Sequence, residues 1–214
     1  MRSKFDEQLA LLNRDLTKMG SLCEEALALA AKALANADGQ TAAKIAPIDS
    51  EIDQMERTIE SLCLKLLLQQ QPVARDLRQI SAALKMITDM ERIGDQASDI
   101  AEIIGFLNGR IGTDAQYICQ MAVAAMRMVT ESVEAYVKRD VAMAEATIQH
   151  DDVVDDLFLK VKESLIQMIS VNPKDGEYAL DLLMIAKYFE RIGDHATNIA
   201  EWVVFSVTGV HEQG

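Results

Sequence analysis

Two stretches decide the fold, MERIGDQASDIAE at residues 90–102 and FERIGDHATNIAE at residues 189–201. The same charged, glycine-interrupted segment occurs twice, 99 residues apart. In the first copy Glu91, Asp95, Asp99 and Glu102 fall at i, i+4, i+8 and i+11. At about 100° per residue they share an arc of about 80° on one helical face. Glu190, Asp194, Asn198 and Glu201 repeat the arrangement in the second. Each stretch therefore reads as a helix with an acidic stripe.

A second pair lies upstream. DSEIDQME at 49–56 matches DDVVDDLF at 151–158, offset by 102 residues, so an insertion or deletion separates the two matched segments. Apolar residues recur at three- and four-residue spacing almost throughout, and strand-like alternation is absent. Turn-forming residues divide the chain into six expected helices, near 3–37, 41–70, 73–108, 113–138, 140–170 and 175–208. The breaks fall at Asp38-Gly39, Gln71-Pro72, Gly109 to Gly112, Arg139-Asp140 and Asn172 through Gly176. Short connections make neighbouring helices antiparallel. The expectation is an all-α chain of two tandem three-helix bundles, residues 1–109 and 110–214, related by an internal pseudo-two-fold repeat.

Composition agrees with a helical bundle: half the residues are apolar and only 5% aromatic. The net charge is −13, and both halves are acidic, with 12 basic and 17 acidic side chains through residue 108 and 9 and 17 after it. Such a surface repels phosphate backbones and anionic headgroups, which argues against nucleic-acid and direct membrane binding, and it attracts cations. Cys23, Cys63 and Cys119 form no CxxC or Cys/His pattern and read as buried, reduced thiols of a cytoplasmic protein. No stretch approaches the roughly 20 apolar residues that span a bilayer, and the N-terminus carries no secretory signal.

The stripes meet. Residues facing each other across an antiparallel hairpin have position numbers with a constant sum. Asp53 with Glu91 and Asp49 with Asp95 share the sum 144, whose midpoint is the turn residue Pro72. Asp155 with Glu190 and Asp151 with Asp194 share 345, centred between Asn172 and Pro173. Both hairpins thus bring carboxylates together at one height. Converging carboxylates in a partly buried site must protonate or bind cations. Arg92 and Arg191 reach Asp95 and Asp194 at i+3 but do not neutralise the set.

The expected metal-binding residues are Asp49, Asp53, Glu56, Glu91, Asp95 and Asp99 in the first repeat. In the second they are Asp151, Asp155, Glu190, Asp194, Asn198 and Glu201. All-oxygen donors suit iron(III), manganese, magnesium or calcium, with zinc or nickel as alternatives. Gly94 and Gly193 each cost a helix about 1 kcal/mol relative to Ala, and close helix approach or simple packing explains either. His150 and His195 are turned about 100° from the neighbouring stripe and read as surface histidines, and His211 falls in the tail. No Glu-x-x-His pair, Ser/His/Asp set, phosphate loop or dinucleotide turn occurs, which leaves catalysis without its usual parts.

The twin ERIGD segments, the two Asp-x-x-x-Asp motifs and QQPVARDLR at 70–78 resemble the PhoU family, regulators of high-affinity phosphate import in bacteria. The resemblance covers essentially the whole chain. It implies metal clusters on the bundle surface at Asp49, Asp53, Glu91 and Asp95 and at Asp151, Asp155, Glu190 and Asp194. It also implies a cytoplasmic negative regulator of phosphate uptake and the starvation response, coupling the importer ATPase subunit to a phosphate-sensing histidine kinase, with a homodimer as the expected state. The chain departs from its own symmetry at Asn198, opposite Asp99, and at Phe158, opposite Glu56. A metal-dependent phosphoesterase using the same carboxylates remains the competing class, because carboxylate-bound metals hydrolyse phosphoesters.

Overall fold

The computed structural model describes residues 2–69, 72–107, 109–110 and 115–210. Within them the regular structure is helical: α1 (Arg2–Asn36), α2 (Gly39–Ala42), α3 (Ile45–Gln69), α4 (Ala74–Phe106), α5 (Gln116–Lys138), α6 (Val141–Gln149), α7 (Asp151–Val171) and α8 (Gly176–Thr208). His211 and parts of the expected breaks at 70–71 and 111–114 lie outside the described residues.

Two expected helices are each split. The helix expected over 41–70 begins as the one-turn α2 and resumes as α3 at Ile45. Asp38 caps α2, its carboxylate accepting from the Gln40 backbone at 3.0 Å and from the Thr41 hydroxyl at 2.5 Å. Pro47 then sits in the first turn of α3, where no intrahelical N–H bond is lost. The helix expected over 140–170 divides at His150 into α6 and α7. Asp140 caps α6 by accepting from the Met143 backbone at 3.0 Å, and Asp151 and Asp152 occupy the first turn of α7, where the helix dipole favours acids. A carboxylate of the candidate site therefore opens a helix and is fixed at its start. Arg139 closes α5 in the left-handed region at φ 56°.

Helices α1, α3 and α4 form one bundle, and α5 to α8 form the other. They share a single hydrophobic cluster, because α4 packs along α8 and α1 along α5. Leu12, Leu16, Met19, Ile52, Ile59, Met86, Ile185, Ile192 and Phe189 are fully or almost fully removed from solvent. Burial of each such side chain contributes about 1.5–3 kcal/mol before the entropy of ordering it is set against the gain. Close helix contact relies on missing side chains in places: a Cβ on Gly20 would lie 3.0 Å from Val133 on α5. Cys23 and Cys63 are buried, their thiols pushed up to about 12 by desolvation, while Cys119 is only half-buried.

The seam between α4 and α8 is antiparallel and polar at both ends. Asp89 meets Nδ1 of His195 at 2.8 Å and accepts from Nδ2 of Asn198 at 3.1 Å. At the other end the Tyr188 hydroxyl, pushed up first by burial and then by the adjacent carboxylate, bonds to Asp99.

Candidate metal centre

Helix α3 carries Asp49, Asp53 and Glu56, and α4 carries Glu91 and Asp95. The hairpin places them where the constant-sum argument puts them. One oxygen from each of Asp49, Asp53 and Asp95 lies within 4.8 Å of the other two. Asp49 is pushed up by burial first, then by the charges of Asp95 and Asp53, and the Ser98 hydroxyl offsets part of this. Glu91 is pushed up by burial and then by Asp95, with Glu56 and Asp53 adding to it and Arg92 opposing. Glu56 is raised by burial, by Glu60 and by Asp53. Arg92 bonds Asp95 at 3.1 Å and reaches Glu91 at 3.4 Å, so it ties off the outer edge of the group.

Gly94 is what lets Asp49 into this space. A Cβ there would stand 2.7 Å from Asp49 Oδ1 and 3.0 Å from Ile52 Cδ1. Asp49 Oδ1 is itself buried with no hydrogen-bond partner. An orphaned carboxylate oxygen beside two further carboxylates is a donor set that a hard cation fits. Of the two explanations open for this glycine, close approach is the one the geometry selects.

The second repeat copies the layout with different energetics. Asp151 is pushed up to about 6, by burial first and then by Asp194, Asp155, Asp152 and Glu190. Asp155 is raised by burial and then Glu190, and Asp194 by burial and then Glu190. In each facing pair inferred from the sequence, the charge of one member thus raises the other. Gly193 is less tightly occupied, a Cβ there lying 3.2 Å from Asp151 Oδ1. The cation on this stripe is Lys187, paired with Glu190, rather than Arg191. Lys187 stands at i−3 from Glu190, a spacing legible in the sequence.

The outer positions behave differently from the inner ones. Asn198 gives its amide to Asp89 across the α4–α8 seam, and Asp99, beside Tyr188 on that seam, also adds its charge to Asp49. Glu201 is half-buried, seven residues past Asp194, and is not among the main charges acting on Asp151, Asp155 or Asp194. His195 also belongs to the seam, whereas His150 ends α6 with Nδ1 3.4 Å from Glu131.

No helix among the described residues is long and apolar enough to cross a membrane. A family profile described as the PhoU domain matches twice, at residues 16–104 and 118–203. A relative from Clostridium acetobutylicum, named a phosphate-specific transport system accessory protein PhoU homolog, is 36% identical over 210 residues, covering 97% of this chain and 96% of its own. One of the same name from Pseudomonas aeruginosa is 33% identical, covering 96% and 86%. The crystal structure of PhoU from Pseudomonas aeruginosa superposes with a TM-score of 0.92 at 33% identity, over 96% of this chain and all of that one. A PhoU structure from Streptococcus pneumoniae, a phosphate transport system regulatory protein, gives 0.88 at 26% identity, over 98% and 99%. With two matched copies, whole-length relatives and a shared fold, the chain belongs to the PhoU family.

Proposed function

We propose that this chain is the accessory regulator of a phosphate-specific transport system, acting as a non-enzymatic adaptor. The observation that carries the reading is the whole-length likeness to proteins named for that role. In this reading the chain works at the cytoplasmic face of the inner membrane through protein partners. It joins the importer's ATPase subunit to a phosphate-sensing histidine kinase, as a homodimer, and silences uptake and the starvation response when phosphate is plentiful.

The Asp49, Asp53 and Asp95 cluster, with Glu91 and Glu56 beside it, would hold a hard metal ion such as iron(III), magnesium or calcium. A bound cation would cancel the repulsion between α3 and α4 and stiffen a face available to a partner. The adaptor reading rests on recovery of partners. Capture of the tagged chain from phosphate-replete cells, followed by mass spectrometry, is expected to return the importer ATPase or the sensor kinase. Recovery of neither, with metal-dependent phosphoester turnover by the purified protein that Glu91→Gln abolishes, would replace the adaptor with an enzyme.

A further inference from the structure

The two carboxylate clusters differ in charge at several matched positions. The first repeat carries Glu56, Arg57, Glu60 and Thr88 where the second carries Phe158, Leu159, Lys162 and Lys187. These exchanges make the second cluster three charges less negative and Asn198 in place of Asp99 one more, while Asp152 and Asp156 in place of Ser50 and Gln54 return two, so the second cluster is two charges less negative than the first. Lys187 does more than alter the net charge. Its ammonium rests on Glu190 and acts on both Asp155 and Asp194. Its Nζ also stands 5.6 Å from the centre of the Phe158 ring, and Lys162 stands 5.2 Å from the same ring. The aromatic face that replaces a glutamate therefore helps to hold cations over the cluster.

The carboxylates respond in kind. Among the described residues, only Asp49, Asp53 and Asp95 bring their oxygens within 4.8 Å of one another, and the matched trio of Asp151, Asp155 and Asp194 does not. A Cβ on Gly94 would be 2.7 Å from Asp49, against 3.2 Å between Gly193 and Asp151, so the second hairpin also grips its buried carboxylate less closely.

We propose that Lys187 is the resident cation of the second cluster, taking the place that a metal ion takes in the first, so that the chain holds metal in one repeat only. The inference rests on the metal reading of the first cluster given above. A tethered ammonium competes at a fixed high local concentration, in the millimolar range or above. An incoming divalent ion must displace it from Glu190 and then remain beside its charge. Affinity in oxygen-donor sites follows ligand charge, and the second cluster offers less of it. The two repeats would then divide their roles: one hairpin is locked shut by its own side chain, and the other responds to ions.

Exchange of the matched residues tests this directly. The full chain, stripped of metal, is titrated with Mn²⁺ alone by calorimetry, with helical content followed by circular dichroism. The parent is expected to take up Mn²⁺ at the first cluster, and Asp53→Asn should remove that uptake. Lys187→Thr should add a second class of site, at least about tenfold tighter than any residual second-repeat binding in the parent, and it should persist in the Asp53→Asn background. Thr88→Lys should weaken the first site by about tenfold or more, while Lys187→Arg, which keeps the charge, should leave the second cluster silent. Uptake at both clusters of the parent, unchanged by Lys187→Thr, would overturn the inference and leave the first-cluster reading standing. No uptake by the parent or by Lys187→Thr would remove the metal reading, and this inference with it.

Discussion

Asn198 donates to Asp89 across the α4–α8 seam at 3.1 Å, and the pair is the pseudo-two-fold image of Asp99 bonded to Tyr188. Exchange of the repeats carries Asp89 to Tyr188 and Asp99 to Asn198, each by 99 residues. The seam thus has an acceptor at Asp89 with a donor at Asn198, and, reversed, a donor at Tyr188 with an acceptor at Asp99. Asymmetry in the sequence keeps hydrogen bonding intact at both ends.

Removal of the Asp89 carboxylate strands the half-buried His195, while the exposed Asn198 amide is left to water. The Asp89 side chain is only 15% exposed and that of His195 22%. Asp89→Ala should therefore cost about 1 kcal/mol, the low end of the penalty for leaving a buried polar group unpaired. Denaturant unfolding reads this as a lower midpoint with an unchanged slope. An unchanged midpoint would mean that water replaces the carboxylate.

The two matched glycines should respond unequally. Gly94→Ala gains up to about 1 kcal/mol of helix propensity but forces Asp49 and Ile52 aside, and overpacking typically costs about 1–3 kcal/mol. Gly193→Ala meets Val154 at an ordinary 3.5 Å and the end of the Asp151 side chain at a tight 3.2 Å, which that carboxylate relieves by moving a few tenths of an ångström. The first variant should be destabilised, by about 1 kcal/mol net, and the second should be neutral or slightly stabilised. Equal unfolding free energies for the pair would contradict the close approach described at Gly94.

Acid should stabilise the metal-free chain over part of the pH range. Asp151 titrates at about 6 in the fold against an ordinary 3.8, and Asp49, Glu56, Glu91, Asp155 and Asp194 shift in the same direction. A carboxyl raised by folding binds its proton more tightly in the native state, so its contribution is fully present below its unfolded value. That contribution is lost as pH rises through the folded value. The melting temperature is expected to be higher at pH 5.5 than at pH 7.5, two values chosen at roughly half a unit below and well above the Asp151 titration. Asp151→Asn should flatten that rise. A melting temperature that falls on going from the higher to the lower pH in the parent would refute the repulsion between the facing acids.

Metal content should follow the first cluster. Asp53→Asn with Glu91→Gln is expected to remove most bound metal without altering helical content, because it takes two charges from the convergent group. The matched change at Asp155 and Glu190 should remove little. Elemental analysis of the two purified double variants decides between them, and equal losses would show that the clusters are equivalent.

Much of this was legible in the residues. Helix periodicity and a repeated motif fixed the number and pairing of the long helices, and the constant-sum rule placed Asp49 against Asp95 because both helices rise equally from their turn. The split at His150 was not legible, since no Gly or Pro marks it, whereas Pro47 in the first turn of α3 marks the one at Ala43–Lys44, a helix start that the expected helix over 41–70 runs through. Asp99 and Asn198 lie on the same arc as the inner acids, yet Asn198 bonds Asp89 across the seam, and Asp99 stands by Tyr188 there while still acting on Asp49. An arc of about 80° is wide enough to touch two neighbouring helices, and a helical wheel does not say which. Lys187 had a readable spacing from Glu190, but its role depends on Phe158, which comes from another helix.

The shared core has a consequence for the chain as a duplicated object. Ile93, Ala97 and Ile100 on α4 and their counterparts Ile192, Ala196 and Ile199 on α8 are wholly buried, in a cluster that spans both repeats. Either half made alone would present its share of that surface to water, and the nearest complementary shape is another copy of itself. Residues 2–107 should accordingly self-associate, which sedimentation would show, and a well-behaved monomer would contradict it. Each repeat serves as the other's missing subunit, joined by peptide rather than by mass action.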